Sequence, residues 1–481
     1  MNPFSTKENE GFAKNLSYAI LAQGVGFASS MIMSLVVPKV LGVESYAYWQ
    51  MFMLYSSYTG FALLGINDGL YLRLGGRRYA DLDKPALKTQ FLVVALFQAA
   101  VAALCLGLLS ISGIQGDRLL VFLFVALFGL LQNGFSCLSY MFQSVNLTQI
   151  ASFSSLINRV VFLPFLVAFV VLGIETWVPL VVVYLLCQTL SLAYCIVCAR
   201  DVIRSSIGSL RAAVKDCVAD LRSGIKVMIA YYSDTLIVGL TRMLTDWTLG
   251  LSTFGKLSFS FSLINFALNF IGQFAMVAFP VLKRFDDGGK REKYVEIHSI
   301  LHCLLPAVYL CYVPMCIALG WWLPDYKESL SYLALVLPLC FYSCKANLLF
   351  STYLKMNRDE SVLCMVNVAT MTVNAILSVV SIVVFGSVEL ASVGIIVSVL
   401  ARDCVFERIM SRHYGVPIAR VCVTEGLVSI GFMAASWYLG SWSFFLVVAM
   451  LVVYWYADRA AVLGTAKTLA SRFLPRKRST R

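Results

Sequence analysis

Charge is what this 481-residue chain has little of. Asp, Glu, Lys and Arg together make 13% of it, about half the share of an ordinary soluble domain. Hydrophobic residues make 59% and the mean hydropathy is +0.80. So few charges cannot keep a surface of this size in water, so most of it must face lipid. Several chemistries are excluded by what is missing. No P-loop occurs, so no ATPase is built in. No HExxH accompanies His298 and His302, which therefore read as a wet interfacial pair rather than a metal site. Asp81-Leu82-Asp83 has the DxD spacing of metal-dependent glycosyltransferases but sits in a loop of about sixteen residues, too short for a nucleotide-binding sheet. No cleavable signal peptide is evident, because the first apolar run, roughly 16–37, is too long for one.

What is present is a rhythm of bilayer-length apolar runs. It predicts an all-α polytopic membrane protein with about fourteen spans, at approximately 15–38, 46–72, 89–112, 118–143, 151–173, 177–199, 227–244, 255–282, 298–322, 330–354, 361–385, 389–409, 421–439 and 441–457. The net charge of +12 could suggest nucleic acid, but the basic residues gather at the ends of apolar runs. Of the 38 Lys and Arg, only Lys39, Arg118, Arg242, Lys256 and Lys327 fall on the side opposite the termini, and Lys345 lies mid-span. The positive-inside rule therefore predicts a multi-pass protein with both termini cytoplasmic and anionic lipid, not nucleic acid, as the partner of its basic residues. Most of the 14 Cys lie within apolar runs; Cys195 and Cys198 form a CxxC with no partner pair and read as small buried residues.

Residues 201–226 join spans 6 and 7. Ile203, Ile207, Leu210, Val214, Cys217 and Leu221 recur at helical spacing, with Arg204, Arg211, Lys215 and Arg222 on the other face. This predicts an amphipathic helix on the inner leaflet, acting as a tether. The tail 458–481 ends in Arg476, Lys477, Arg478 and Arg481 and is expected at anionic headgroups. An internal repeat divides the rest. Leu41-Gly42-Val43-Glu44-Ser45-Tyr46-Ala47 matches Leu249-Gly250-Leu251-Ser252-Thr253-Phe254-Gly255, six spans later. An even offset gives two lobes of the same orientation, a parallel repeat. The expected organisation is an N-terminal lobe over 1–200 (spans 1–6), the linker, a second lobe over 227–410 (spans 7–12), accessory spans 13–14 over 411–457, and the tail.

At these residues the chain resembles the polysaccharide-transport branch of the MATE-like MOP superfamily, which includes O-antigen and other lipid-linked oligosaccharide flippases. Residues 38–47 are similar to the family's P-x-x-L-G-x-E-x-[FY]-G, with Ala47 in place of the usual Gly, and Phe279-Pro280-Val281-Leu282-Lys283-Arg284 also looks like the family's. Where the family often has Asp-Arg in helix 7, here Asp234 is followed by Thr235, and Arg242 comes eight residues later. The resemblance implies two pseudo-symmetric six-helix lobes around a central, cationic cavity working by alternating access. It also implies a polyprenyl-pyrophosphate-linked oligosaccharide, such as an O-antigen or other lipopolysaccharide or surface-polysaccharide unit, moved to the outer leaflet of a bacterial inner membrane. No cofactor is expected. Polysaccharide-assembly proteins are the further partners it suggests.

A charge near a span's centre costs about 2.5–3.5 kcal/mol on insertion scales. Arg159, Asp234 and Lys345 are the deepest, with Asp68 near the inner end of span 2 and Arg402 and Asp403 shallower in span 12. Arg242 and Asp246, four apart, have an ion pair as their simple explanation. The candidate cationic contacts for a pyrophosphate are Arg159, Lys345 and Arg242. Asp234, beside Tyr231 and Tyr232, and Asp68 are the candidates for a coupling H+ or Na+. The competing readings are an interhelical ion pair for each charge and, for the whole chain, a cation-coupled multidrug exporter or a membrane enzyme of polysaccharide assembly. The exporter class commonly has about twelve spans and acidic cavities, and polymerases or ligases commonly carry a large outside loop. Here every outside loop is short, the longest about ten residues.

Overall fold

The computed structural model describes residues 24, 26–283, 289–357, 359–415, 419–459 and 464. The basic tail residues Arg476, Lys477, Arg478 and Arg481 lie outside the described residues. Among the described residues every regular element is a helix. Two compact units divide the chain, the first ending at Gly239 and the second beginning at Leu240.

The first unit opens with α1 (Gly26–Leu35), bent by 62° from the helical stretch that follows, and α2 (Val37–Ser56). α2 is interrupted at Gly42, whose φ of 67° few other residues adopt. Gly250, in the repeated Leu-Gly motif, has φ 89°. The repeat is thus a backbone device, since both copies place glycine where the chain must leave the right-handed helix. A 3₁₀ turn at Thr59–Leu63 leads to α3 (Ile66–Leu74). The turn's freed carbonyls are met by amides: Asn133 donates to Thr59 O at 3.1 Å and Gln98 to Ala62 O at 2.7 Å. A broken helix in an apolar setting needs such partners.

Next come α4 (Lys84–Ile111), α5 (Gly116–Ser144), α6 (Thr148–Leu172), α7 (Trp177–Cys198) and the single turn α8 (Arg200–Ile203). α4 is capped by Asp83, which accepts from the Ala86 amide at 3.1 Å. α5 packs against α2, α3, α4 and α7. Outward residues such as Leu96, Leu104, Leu108, Val171 and Leu172 are exposed, as expected of helices whose apolar flanks meet lipid rather than protein.

α9 (Leu210–Leu249) is 40 residues long. Here the structure differs from the sequence reading: residues 201–226 do not form a helix of their own. The chain is non-helical at 206–209, where Thr89 accepts from the Gly208 amide at 2.7 Å and Lys88 donates to Ser205 O at 2.6 Å. From Leu210 the helix runs unbroken through the expected start of span 7. Its charged residues explain this. Asp220 is buried and accepts from Arg73 Nε at 2.7 Å, Arg73 Nη2 at 2.8 Å and Gln90 Nε2 at 2.6 Å. This bidentate pair fastens α9 to α3 and α4. The same crossing is sealed by glycines. A Cβ on Gly224 would overlap the carbonyl oxygen of Gly65, and one on Gly69 would overlap that of Asp220, so the two backbones approach as only small residues permit.

The second unit continues with α10 (Leu251–Lys283), α11 (Lys290–Leu304), a 3₁₀ segment Leu305–Cys311, α12 (Tyr312–Trp322), α13 (Lys327–Val336) and α14 (Pro338–Lys345). A π-helical turn, Ala346–Phe350, joins α14 to α15 (Ser351–Met356), and α16 (Glu360–Val379), α17 (Val388–Tyr414), α18 (Ala419–Leu439) and α19 (Ser443–Ala457) follow. A buried seam of small polar groups ties α9, α16 and α17: Thr241 and Ser378 hydroxyls lie 2.6 Å apart, and Asn374 donates to Thr241 at 3.2 Å.

Among the described residues seven helices are long and apolar enough to cross a membrane, or up to nine if each of two bent pairs is one span. The chain is therefore a multi-pass membrane protein. α17 is outside the seven, and it carries Arg402, Asp403 and Glu407, all buried within the protein.

The α3–α9 crossing gives a first test. Gly224→Val should cost about 1–3 kcal/mol through overpacking, lowering the unfolding midpoint in detergent, whereas Gly107→Val, on a helix position with open space around it, should change it little.

Candidate functional site

Arg159, Asp68 and Asp234 belong to the first unit, and Arg242 and Lys345 to the second. Arg159 projects from the middle of α6 and is exposed. It lines a cleft of about 440 Å³ together with Gln143, Thr148, Ser152 and Ser155, a polar wall made by the end of α5 and the first turns of α6. A Cβ on Gly26 would overlap the Arg159 guanidinium, so glycine at that position is what lets the side chain lie against α1. Among the described residues no carboxylate forms an ion pair with Arg159. The arrangement is a five-donor cation beside hydroxyls and an amide, a set that suits a phosphate-like oxyanion. Asp68, in the first turn of α3, and Asp234, in α9, are both half-buried. An aromatic group lies next to Asp234, with Phe61 and Tyr232 stacked at 4.0 Å and the Tyr58 hydroxyl donating to Thr235 O at 3.2 Å.

Arg242 is buried in α9, with Nε donating to Ser258 Oγ at 3.2 Å and the guanidinium over the rings of Phe254 and Phe261 at 5.6 and 6.0 Å. Such a site stabilises the cation through the aromatic faces.

Lys345 has no exposed surface. Its Nζ lies 3.1 Å from Asp403 Oδ2, 2.7 Å from Glu407 Oε1 and 2.6 Å from Glu425 Oε2. The ammonium's three donors are thereby matched to three carboxylates. In this state it is closed to any cargo, and the sequence reading of Lys345 as a cavity cation meets an ion-paired, enclosed side chain. Two histidines extend the group. His298 Nε2 is 2.8 Å from Glu407 Oε1, and His302 Nδ1 is 2.8 Å from Glu425 Oε1. The histidines expected at a wet interface are therefore buried and bonded to acids.

Sequence reasoning missed Glu407, Glu425 and Asp220. The signal for Glu425 was available, since it is the sole acid in the apolar run 421–439. Glu407 follows Asp403 by one helical turn on the same face. Asp220 stood among the charges of an assumed surface helix, and nothing local distinguished it.

No protein-family model matches the chain, and no curated protein matches it in sequence. Among solved structures, one described as the lipid II flippase MurJ in an inward closed conformation is similar in fold, with a TM-score of 0.58 at 12% identity over 91% of this chain and 96% of that one.

Removing the ammonium would leave three acids facing one another without a counter-charge. Lys345→Met should destabilise the protein by about 3–5 kcal/mol, read as a lowered unfolding midpoint in detergent at neutral pH. Acidification should restore part of that loss, because protonated carboxyls no longer need the cation.

Proposed function

We propose that this chain is a flippase, not an enzyme, that moves a lipid-linked anionic cargo across a bacterial inner membrane by alternating access. What carries the reading is the fold: the likeness spans nearly the whole of both chains, and the neighbouring structure is of a flippase for lipid II. The cargo we assign is a polyprenyl-pyrophosphate-linked oligosaccharide, an O-antigen or other surface-polysaccharide unit, taken from the cytoplasmic to the outer leaflet. The resemblance at residues 38–47 supports the sugar-bearing class. Arg159 supports the anionic head, because it holds a charge in a polar cleft without a carboxylate partner among the described residues. Arg242 and Lys345 are the second unit's cations, enclosed in this state. Fourteen spans in two six-helix lobes with two accessory helices, and both termini cytoplasmic, remain the topology we propose from the apolar runs, the Leu-Gly repeat and the basic residues. Ion-gradient coupling completes the reading, with Asp234 and Asp68 as the half-buried carboxylates of the first unit.

The test is a vesicle assay with a defined polyprenyl-pyrophosphate oligosaccharide. Wild-type protein should move the substrate between leaflets. Arg159→Gln should slow transfer about ten- to a hundredfold, as loss of charge-assisted hydrogen bonds worth about 1.5–3 kcal/mol implies, while Arg159→Lys keeps part of the rate. No protein-dependent transfer, or full activity in Arg159→Gln, defeats the proposal.

A further inference from the structure

The buried acids and histidines of the second unit form one connected chain. From Lys345 it passes through Glu425 to His302, whose Nε2 lies 3.2 Å from Asp458 Oδ2 at the end of α19. The Asp458 side chain is 15% exposed, whereas those of His302 and Glu425 are 5% and 1% exposed. The chain therefore leads from a partly exposed carboxylate into the interior.

Both ring nitrogens of His302 face a carboxylate. A neutral imidazole has one N–H and one lone pair, so it satisfies only one such neighbour; the imidazolium donates to both. The Tyr454 hydroxyl donates to the His302 carbonyl oxygen at 2.9 Å. Its oxygen also lies 2.8 and 3.0 Å from the two ring nitrogens.

The charge balance points the same way. Lys345 supplies one buried positive charge, against the buried carboxylates of Asp403, Glu407 and Glu425. A buried excess of negative charge is costly. A proton on His302 lowers that excess. Among the described residues, Tyr294, Tyr309, Tyr342, Cys404, Cys422 and Tyr454 also lie within electrostatic reach of the group. Asp403 adds a further sign of incomplete pairing: it is 4% exposed and its Oδ1 has no hydrogen-bond partner among the described residues. Lys345 itself stands where α14 widens into the π-turn Ala346–Phe350, within a helix pair bent by 46°. Such turns recur at functional sites.

We propose that this cluster is a proton-binding site, in which His302 holds an exchangeable proton between Glu425 and Asp458, and Asp458 is its entry. A metal cation is not the ligand, because the Lys345 ammonium occupies the centre of the acids. Loss of the Nε2 proton by way of Asp458 leaves a neutral ring that still donates from Nδ1 to Glu425 but removes the positive charge beside that carboxylate, which draws the Lys345 ammonium toward α18 and weakens its hold on Asp403 of α17. Proton binding thereby sets how α14, α17 and α18 are tied together. This gives the ion coupling of the proposed flippase a site in the second unit, while proton binding itself stands whether or not the cargo assignment holds.

The chain has only three histidines, so ¹⁵N-histidine labelling in lipid nanodiscs gives three imidazole environments with no substrate present. At neutral pH the His302 signal, identified by its loss in His302→Gln, should be that of an imidazolium. It should become neutral on alkalinisation, and already be neutral at neutral pH in Asp458→Asn and in Glu425→Gln. A His302 that is neutral in the wild type, or charged to the same extent in wild type and both variants, overturns the proposal. If Glu425→Gln fails to fold, Asp458→Asn at the half-open end of the chain decides alone. The vesicle assay reports separately on the flippase reading.

Discussion

One ammonium without access to solvent governs the second unit. Lys345 gathers Asp403 and Glu407 from α17 and Glu425 from α18. Two acids one helical turn apart repel each other in isolation, and here they persist because the cation is held between them. A buried group of this kind is not favoured over an apolar core of equal volume. What it does is tie three helices to one point, because α14, α17 and α18 each contribute a charged partner. The two histidines and Asp458 then extend the same network to α11 and the end of α19.

The first unit solves a similar problem differently. Its buried acid, Asp220, meets Arg73 in a bidentate pair at a crossing where glycines bring the backbones together. The charge is closed off locally, with Gln90 donating to Asp220 and Asp216 lying 3.5 Å from the same guanidinium. Arg159 is the exception within that unit. It keeps a polar cleft and no carboxylate partner among the described residues, which is why a cargo contact is assigned there rather than at the enclosed Lys345.

The sequence carried the membrane class and the helical content, because each is written in local residue order. Apolar runs report lipid exposure directly. Gly42 and Gly250 mark places where the chain leaves the right-handed helix, a backbone requirement that any reading of the repeat would sense. The deep charges were also visible one by one. Their partners were not, because Lys345 is separated from Glu425 by 80 residues and from Asp403 by 58. The 201–226 segment misled for the same reason: its apolar spacing is that of a surface helix, but Asp220 is claimed by Arg73, 147 residues away.

Composition and periodicity by themselves determined that this chain lives in a bilayer as a bundle of helices, since scarce charge and long apolar runs allow no other solvent. Which charges face a cavity and which neutralise one another was decided only by tertiary structure. A lysine in an apolar helix costs the same on the sequence whether it will meet a cargo or three acids. Only the packing of helices distant in the chain brings the acids to it, and with them the histidine that must share their proton.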